Sequence, residues 1–451
     1  MKINSYQDKV KEIAETSEGF KKVIKKIDSL KGTNKKVLNF SHHDLDGVTS
    51  AAILKRLLEN YAGLDVTTRI PFEFRLTPEE LEKELKEDDY DLLIISDKGS
   101  FGYYDDFLDQ IDEVMIIDHH LKDGEPKDCI TFNPSLNEEV RASTSLLMHV
   151  LSTHLGVAND YDDFIALLGC RGDYIIQPVA GNVSDFAEPF FNEVKEKFES
   201  LFEKEKGEST LFDSSFEEGT TLLNQIGEVL HVSLLAHLYT PFSEEVKVDH
   251  GPNLVIRALM KLAEQEKELI FDNLQSFLEV IPKRDQITKV FELFKEDWSL
   301  LEERAENAIY LEEVEGVGIY LFFAEEAPAM QDVTFPAILP YVASSKLNDF
   351  TDEEGHDSSL GVVFCPKNVG THISLRGGGG ILSCDAICRE LVDRVQERRP
   401  ELEGEIGGGG HEVAAECVAA NSIEMYVVMH ELLNIIKDLS ENPEKFKAGS
   451  E

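Results

Sequence analysis

The first part of the chain, up to about residue 178, alternates short apolar runs with stretches whose apolar residues recur every three or four positions. The short runs predict buried strands, and the longer spacing predicts amphipathic helices. This alternation is typical of α/β domains with a mostly parallel sheet. The predicted strands are 37–40, 65–70, 92–95 and 114–117, and the predicted helices are 6–30, 50–61, 78–87, 104–110, 143–155 and 161–168.

The rest of the chain has two further patterns. Residues from about 180 to 304 have helical spacing throughout, and the last part predicts a smaller α+β domain. Because 451 residues exceed what one hydrophobic core usually serves, we predict three domains, 1–178, 179–304 and 305–451. The middle domain has no catalytic spacing, and we interpret it as a bridge, with partner docking as the alternative. Its predicted helices are 186–202, 219–238, 252–264 and 269–278; the last domain has strands 308–314, 316–323, 360–365 and 371–376 and helices 336–345, 381–397 and 419–437.

The formal net charge of the chain is −43. Such acidity argues against non-specific binding of duplex nucleic acid, because phosphate binding usually needs a basic surface. It does not exclude nucleic acid as a ligand. The field that counts is local, and divalent cations with a few arginines can reverse it inside a cleft.

The six cysteines form no CxxC pair, and we interpret them as reduced thiols. The N-terminus lacks the apolar core of a signal peptide, and no apolar stretch is long enough to span a bilayer. We therefore expect a soluble, cytoplasmic protein with no membrane partner.

Acidic and imidazole side chains follow three predicted strands of the first domain. Residues 41–47 (SHHDLDG) follow the first strand, Asp97 follows the strand at 92–95, and residues 118–120 (DHH) follow the strand at 114–117. A fourth cluster ends at Asp173. Because the carboxyl ends of parallel strands meet at one sheet edge, we expect these side chains to line one cleft. Each cluster alone could instead be a helix cap, a turn or a polar cleft lip, as for His43 and His120.

Carboxylates gathered in one cleft repel one another unless cations neutralise them. Mixed imidazole and carboxylate ligands suit Mn²⁺, Mg²⁺ or Zn²⁺ better than an ion that prefers thiolates. The sequence therefore predicts a divalent-metal centre, with two ions rather than one. Two such ions can share a carboxylate and clamp a phosphodiester oxygen between them.

In this order, the clusters resemble the four motifs of the DHH phosphoesterase superfamily. Within the superfamily the sequence is most similar to archaeal RecJ-like nucleases of the GINS-associated type. The resemblance implies a bilobal α/β fold, in which a helical insertion joins a mostly parallel DHH domain to a smaller α+β DHH-associated domain. The matching residues are His42-x-Asp44-x-Asp46-Gly47, Asp97, Asp118-His119-His120 and Gly169-x-x-Gly172-Asp173 for the first domain, and Ser374-Leu375-Arg376, glycines 407–410 with His411, and Ala414-Ala415 for the last.

The resemblance implies a set of metal ligands in which two ions share Asp97. Mn²⁺ is the expected ion, and Mg²⁺ is the alternative. Many superfamily members carry a metal-binding histidine where Phe40 stands here, so either His42 substitutes for it or the first ion is held loosely. The ligands implied for the first ion are His42 and Asp44, and those for the second are Asp46, His119 and Asp173.

The resemblance also implies catalytic roles for His120 and Asp118 beside the shared ligand Asp97. His120 would approach a phosphoryl oxygen or donate a proton to the leaving group. Asp118 would orient a ligating histidine through a hydrogen bond.

The last domain is expected to bind the substrate. Successive glycines let backbone N–H groups approach a phosphate, so residues 407–410 are expected to form an anion nest. Arg376 offers a planar, permanently charged fork for a phosphate. The alternative is that the glycine runs 377–380 and 407–410 are flexible turns; family members often have glycine where Glu416 stands. The residues expected to bind substrate are His43, Ser374, Arg376, Gly408, Gly409, Gly410 and His411.

The function expected from these features is metal-dependent degradation of single-stranded DNA or RNA from an end, with release of nucleoside monophosphates. A narrow cleft would exclude duplex and admit a single strand. One alternative is a hydrolase of small phosphoesters, such as short oligoribonucleotides, cyclic dinucleotides or pyrophosphate. The other is a replisome scaffold that binds GINS and has secondary nuclease activity.

Overall fold

The computed structural model describes residues 5–71, 75–122, 124, 126–137, 140–177, 181–205, 210–212, 219–236, 251–265, 269–323, 331–367, 370–377, 379, 381–402 and 404–447. The chain divides into two compact units, residues 1–208 with 218–291 and residues 209–217 with 292–451. The predicted domain boundary at residues 178 and 179 lies outside the described residues, and the division into three domains stays a prediction.

The first unit begins with strands and helices in alternation, which confirms the predicted α/β class. Its sheet orders the described strands β2-β1-β3-β4-β5, and each neighbouring pair is parallel. The elements are α1 (Tyr6–Thr16), α2 (Glu18–Leu30), β1 (Val37–Ser41), α3 (Leu45–Ala62), β2 (Val66–Arg69), α4 (Pro78–Leu85), β3 (Leu92–Ser96), a 3₁₀ helix (Gly102–Asp109), β4 (Val114–Ile117), β5 (Ile130–Phe132), a 3₁₀ turn (Pro134–Leu136), α5 (Thr144–His154) and α6 (Asp160–Gly172).

The three central strands of this sheet, β1, β3 and β4, are buried along their whole length. Parallel strands that are covered on both faces have continuous apolar sequences. The apolar runs therefore predicted the positions of these three strands. Ser41 pairs with Ser96, and Ser96 pairs with Ile117. The ends of these strands therefore meet at one edge of the sheet.

Three predictions for this unit were wrong in detail. The helix predicted over 6–30 is broken at Ser17, whose extended backbone (φ −88°, ψ 113°) ends α1 and whose side chain accepts a hydrogen bond from the Phe20 N–H to start α2. The helix predicted over 104–110 is a 3₁₀ helix. Strand β5 was not predicted, because three residues are too short for a periodic signal.

The middle of the chain is mainly helical, as predicted, and part of it packs on the sheet's helices. The Nε–H of Arg171, in α6, donates to Asn224 Oδ1 at 2.9 Å. A Cβ at Gly227 would lie 2.7 Å from Arg171 Cδ, so glycine lets the arginine cross that helix closely. The elements are β6 (Ile176–Gln177), β7 (Asn182–Val183), α7 (Glu188–Lys197), a 3₁₀ helix (Glu199–Phe202), β8 (Lys204–Glu205), β9 (Thr220–Thr221), α8 (Leu222–Leu234), α9 (Gly251–Ala263), α10 (Leu274–Val280) and α11 (Arg284–Ala305).

The second unit is built around a mixed sheet whose described strands are ordered β10-β11-β12-β13-β15-β14. Only the β11–β12 pair is parallel among these strands. Its core packs residues such as Leu375 and Cys417 against Leu391 and Leu432. The elements are β10 (Ile309–Val314), β11 (Val317–Phe323), α12 (Gln331–Glu354), β12 (Ser358–Lys367), β13 (Gly370–Gly377), α13 (Cys384–Arg398), 3₁₀ turns (Pro400–Leu402 and Pro443–Phe446), β14 (Ile406–His411), β15 (Ala414–Ala420) and α14 (Met425–Glu441).

Two predictions for this unit need correction. The helix predicted over 419–437 begins later, at Met425, because Ala419 and Ala420 end strand β15. Helix α12 is longer than the predicted 336–345. Across the chain, the six cysteines are buried and form no disulfide. None of the described helices has both the length and the apolar composition of a membrane span.

Gly169, in α6, lies close to side chains of α5 and α3. A Cβ there would lie 2.0 Å from Ser145 Oγ and 2.5 Å from Thr49 Oγ1. We therefore expect Gly169→Ala to lower the free energy of unfolding of the first unit by about 1–3 kcal/mol through overpacking, as measured by urea denaturation.

Gly172→Ala is the graded control for this prediction, because its Cβ would approach Leu45 Cβ only to 3.0 Å. A smaller loss of stability is expected there. Equal stability of the Gly169→Ala variant and the parent would contradict the close helix packing.

Candidate active site

The turn between β1 and α3 brings His42 close to two carboxylates. Asp44 is the N-cap of α3, and its Oδ1 accepts a hydrogen bond from the Gly47 N–H at 2.8 Å. A Cβ at Gly47 would lie 2.5 Å from the His42 carbonyl oxygen, so this turn requires glycine. His42 Nδ1 lies 2.9 Å from Asp44 Oδ2 and 3.7 Å from Asp97 Oδ2. The His43 ring lies edge-on to the His42 ring, with centroids 4.6 Å apart.

Asp97 follows β3 in an unusual backbone conformation. Its φ is 58°, in the left-handed region that few residues other than glycine, asparagine and aspartate adopt. Its N–H donates to the Ile117 carbonyl at 3.1 Å, and its Oδ1 accepts a hydrogen bond from Thr144 Oγ1 at 2.9 Å. The side chain is 1% exposed. Backbone and side-chain bonds therefore both fix this carboxylate at the sheet edge.

His119 lies among three carboxylates contributed by three different elements. Its Nε2 is 3.1 Å from Asp173 Oδ2, 3.3 Å from Asp97 Oδ1 and 4.0 Å from Asp46 Oδ2. Asp173 is the C-cap residue of α6, and Asp46 lies in the first turn of α3. The ends of strands β3 and β4 thus converge with helices α3 and α6 on one point.

Asp46 is also bound to the start of helix α5. Its Oδ2 accepts a hydrogen bond from the Thr144 N–H at 2.6 Å, and its Oδ1 accepts one from the Ser145 N–H at 2.9 Å. The N-terminus of a helix carries partial positive charge, which favours a carboxylate there. This contact locks α3 to α5 beside the predicted metal site.

Asp118 contacts His120 rather than the predicted ligand His119. Its Oδ1 lies 2.8 Å from His120 Nδ1. Its Oδ2 accepts hydrogen bonds from Ser100 Oγ at 2.9 Å and from Asn133 Nδ2 at 3.1 Å. Asp118 is fully buried, so these bonds fix both the carboxylate and the ring of His120.

The described residues form three overlapping groups of potential metal ligands. Within each group, the ligand atoms lie within 4.8 Å of one another. Asp97 and His119 each belong to two groups. All six residues predicted to bind metal are present, and His120, predicted to act on substrate, joins them. The groups are Asp97, His119 and His120; His42, Asp44 and Asp97; and Asp46, His119 and Asp173.

The charges of this cluster are strongly coupled. Burial, together with the negative charges of Asp173 and Asp97, raises the pKa of Asp46 well above its usual range. Burial opposes ionisation of Asp97 as well, but the adjacent imidazoles of His119 and His42 outweigh it and hold the pKa of Asp97 well below its usual range. Burial lowers the pKa of His42, yet Asp44 and Asp97 raise that pKa to about 10. A bound cation would therefore stabilise the carboxylates of this cluster.

The ligand atoms of this cluster suit a divalent cation. Asp97 Oδ2 and Asp173 Oδ2 are buried and accept no hydrogen bond from the described residues. Buried carboxylate oxygens beside imidazoles form the mixed ligand set that Mn²⁺, Mg²⁺ and Zn²⁺ use. The residues present therefore fit divalent metal ions.

The predicted substrate-binding residues of the last domain lie in the second unit, on strands β13 and β14, which are separated by β15. Residues 407–410 and His411 form strand β14, paired with β15, so the predicted anion nest is not formed. A nest needs successive N–H groups on one side, whereas a strand alternates them. The Gly410 N–H donates to Asp385 Oδ1 at 2.9 Å, and Arg376 Nη2 lies 2.8 Å from Glu416 Oε1. Gly378 and Gly380 of the other glycine run lie outside the described residues.

The segment that carries this geometry matches a known family. Residues 36–170 match the model of the DHH family, N-terminal domain. This segment is a DHH family domain. It runs from the start of β1 into α6 and carries every ligand described above except Asp173, which lies just beyond it. No curated protein matches the chain.

The fold is also similar to that of several solved structures. RecJ from Thermus thermophilus in complex with Mn²⁺ matches with a TM-score of 0.58 and 15% identity over 93% of this chain, which spans only 55% of that protein's length. An exonuclease RecJ bound to manganese matches with a TM-score of 0.55 and 15% identity over 93% of this chain and 94% of its own. CDC45 from Entamoeba histolytica matches with a TM-score of 0.51 and 10% identity over 93% of this chain and 99% of its own. At identities this low, the matches show a shared fold and no more.

Within the DHH domain, the position of Phe40 bears on the first metal. Phe40 is 2% exposed and packs in the core on one face of the sheet, so it cannot approach an ion. His42 instead shares a ligand group with Asp44 and Asp97. That His42 substitutes for a histidine at position 40 stays a prediction.

Three residues of the DHH domain support the site and were missed from the sequence. Thr144 holds Asp97, and Ser100 and Asn133 hold Asp118. Thr144 could have been found, because it follows the helix cap Ser143 in a predicted helix. Asn133 follows β5, which the pattern did not reveal.

Proposed function

We propose that the chain is a divalent-metal-dependent phosphodiesterase that degrades single-stranded DNA or RNA from one end to nucleoside monophosphates. The observation that carries this proposal is the set of overlapping ligand groups that share Asp97 and His119 at one sheet edge. Two ions sharing a carboxylate is an arrangement that phosphodiester hydrolysis uses. The similarity of fold to an exonuclease RecJ bound to manganese adds support.

In this proposal, His42 and Asp44 hold one ion, Asp46, His119 and Asp173 hold the other, and Asp97 is shared. Bound ions would supply Lewis-acid polarisation of the phosphodiester. Mn²⁺ is the preferred ion, with Mg²⁺ as the alternative.

The chain's own residues would donate the proton and hold the metal ligands in position. Because Asp118 engages His120 at Nδ1, Nε2 is the ring nitrogen that would donate to a phosphoryl oxygen or to the leaving group. Thr144 and the α5 N-terminus would keep Asp97 and Asp46 in place while substrate exchanges.

The test uses purified full-length protein with Mn²⁺ or Mg²⁺. Strands of DNA and RNA labelled at either end, and duplexes of the same sequence, are resolved at single-nucleotide resolution. We expect mononucleotides to be released from one end of single strands, little cleavage of duplex, and complete loss with EDTA. Hydrolysis of dinucleotides, cyclic dinucleotides or pyrophosphate without cleavage of longer strands would replace this proposal with that of a small-phosphoester hydrolase.

The fold similarity to CDC45 supports a second candidate, a replisome-associated role beside catalysis. Size-exclusion chromatography with purified GINS proteins tests it, and a shared elution peak is the expected result. Separate peaks at micromolar concentration would remove this candidate and leave the nuclease proposal untouched.

A further inference from the structure

One face of the second unit's sheet gathers three hydrogen-bond donors onto a single carboxylate. His372, Ser374 and Arg376 are alternate residues of β13 and therefore share a face. Glu416, in β15, lies directly across from Ser374. Its carboxylate lies 3.2 Å from His372 Nε2, 3.3 Å from Ser374 Oγ and 2.8 Å from Arg376 Nη2. An imidazole, a hydroxyl and a guanidinium thus surround one anion.

The burial of these groups is uneven. Ser374 is 1% exposed, and the side chains of His372 and Arg376 are each 14% exposed, whereas the Glu416 side chain is 49% exposed. The donors are therefore fixed and largely covered, while the anion they hold faces solvent.

The Arg376 guanidinium is further fixed by the backbone. Its Nη1 donates to the Leu375 carbonyl at 2.9 Å and to the Ala415 carbonyl at 3.3 Å. These bonds fix the plane of the guanidinium, and its Nη2 donates to Glu416. A planar fork held in this way is suited to an oxyanion.

The strand beside Glu416 carries glycines next to the carboxylate. Gly409 pairs with Glu416 across β14 and β15, and a Cβ there would lie 3.4 Å from Asp385 Oδ1, whereas a Cβ at Gly407 would meet nothing within 4 Å. A ligand can therefore approach the carboxylate over Gly407.

We infer that Glu416 is a specificity-determining residue whose carboxylate occupies the place of a ligand phosphate on Arg376, Ser374 and His372. A phosphate of a single-stranded nucleic acid then reaches these donors only by displacing Glu416. The inference rests on the proposed function for its ligand, and on the contacts of Glu416 for its site. The Glu416 carboxylate thus makes the affinity for single-stranded nucleic acid weaker than the three donors alone would give.

The test measures binding without catalysis. A fluorescein-labelled oligothymidylate is titrated with full-length protein in EDTA, by fluorescence anisotropy, over a series of salt concentrations. The variants are Glu416→Gln, which keeps the shape and removes the charge, Glu416→Ala, Arg376→Ala, and the double variant Arg376→Ala with Glu416→Ala. Glu397→Ala, at an exposed position of α13, controls for the loss of one negative charge from the surface.

Both Glu416 variants should bind the strand roughly ten- to a hundredfold more tightly at low salt, the range for one charge-assisted hydrogen bond. The slope of log Kobs against log salt should steepen by about 0.7, as for one added phosphate contact on a single strand. The gain and the steeper slope should vanish in the double variant, and Glu397→Ala should show neither.

Unchanged binding in both Glu416 variants would overturn the inference. Weaker binding would overturn it too, because it would assign the carboxylate a direct contact with the ligand, such as a sugar hydroxyl. Since no step of this test needs metal or turnover, a chain that fails to hydrolyse nucleic acid but gains affinity in these variants would refute the proposed function and uphold the inference.

Discussion

Asp97→Asn is expected to abolish hydrolysis. Asparagine tolerates the left-handed backbone at this position, so the fold should persist while the carboxylate shared by two ligand groups is lost. A loss of several kcal/mol of charge stabilisation corresponds to a fall in kcat of roughly a thousandfold or more. Asp97→Ala should behave alike, with some added backbone strain. The measurement is single-strand cleavage with Mn²⁺, beside calorimetric titration of Mn²⁺.

Asp112→Asn is the matched control, because Asp112 is exposed in the loop before β4. It should cleave at the parental rate. If the Asp97→Asn variant, folded by circular dichroism, hydrolysed strands within a few-fold of the parent, the assignment of Asp97 as a shared metal ligand would be wrong.

His120→Ala is expected to lower kcat by about 10²–10⁴-fold, the usual contribution of a positioned proton donor. Bound Mn²⁺ should remain close to the parental amount, because the six residues proposed to hold the ions are unchanged in this variant. The measurement pairs kcat with metal content after gel filtration. The geometry makes this test necessary, since His120 also falls in a ligand group with Asp97 and His119.

Asp118→Asn is the companion variant. It keeps the shape of the side chain but changes the partner that sets the tautomer of His120, so kcat should fall in the same direction with metal content retained. Loss of metal in the His120→Ala variant would instead make His120 a ligand, and the proposed division of labour between His119 and His120 would fail.

The parallel sheet and its motif-bearing edge were accessible to sequence reasoning because buried parallel strands are continuous apolar runs. Strands β1, β3 and β4 followed that rule, and the clusters after them converge as predicted. The break at Ser17 was not visible, because the apolar spacing continues across it and only a single cap divides the helices. Strands β14 and β15 were missed since glycines and alanines carry almost no alternation of apolar and polar character.

The partners of individual side chains were harder to predict than their neighbourhood. Sequence order places Asp118 equally near His119 and His120, and only the folded loop assigns it to His120. The presence of a glutamate at position 416 did not predict that its carboxylate would contact Arg376, because that contact depends on strand register. Motifs thus predicted which groups assemble, while register and loop conformation decided their contacts.

The contact between Arg171 and Asn224 shows that the family match and the packing of α6 end at different places in the chain. The family match stops at residue 170, inside α6, yet α8 packs on that helix from more than fifty residues further along the chain. Sequence similarity thus delimits a motif-bearing segment, whereas the packing of α6 also involves a helix that follows that segment. A recombination event or an engineered excision at residue 170 would sever Asp173 and bare the apolar side of α6. We therefore expect a fragment that ends at residue 170 to lack both the helix packing and the ligand that the longer segment supplies.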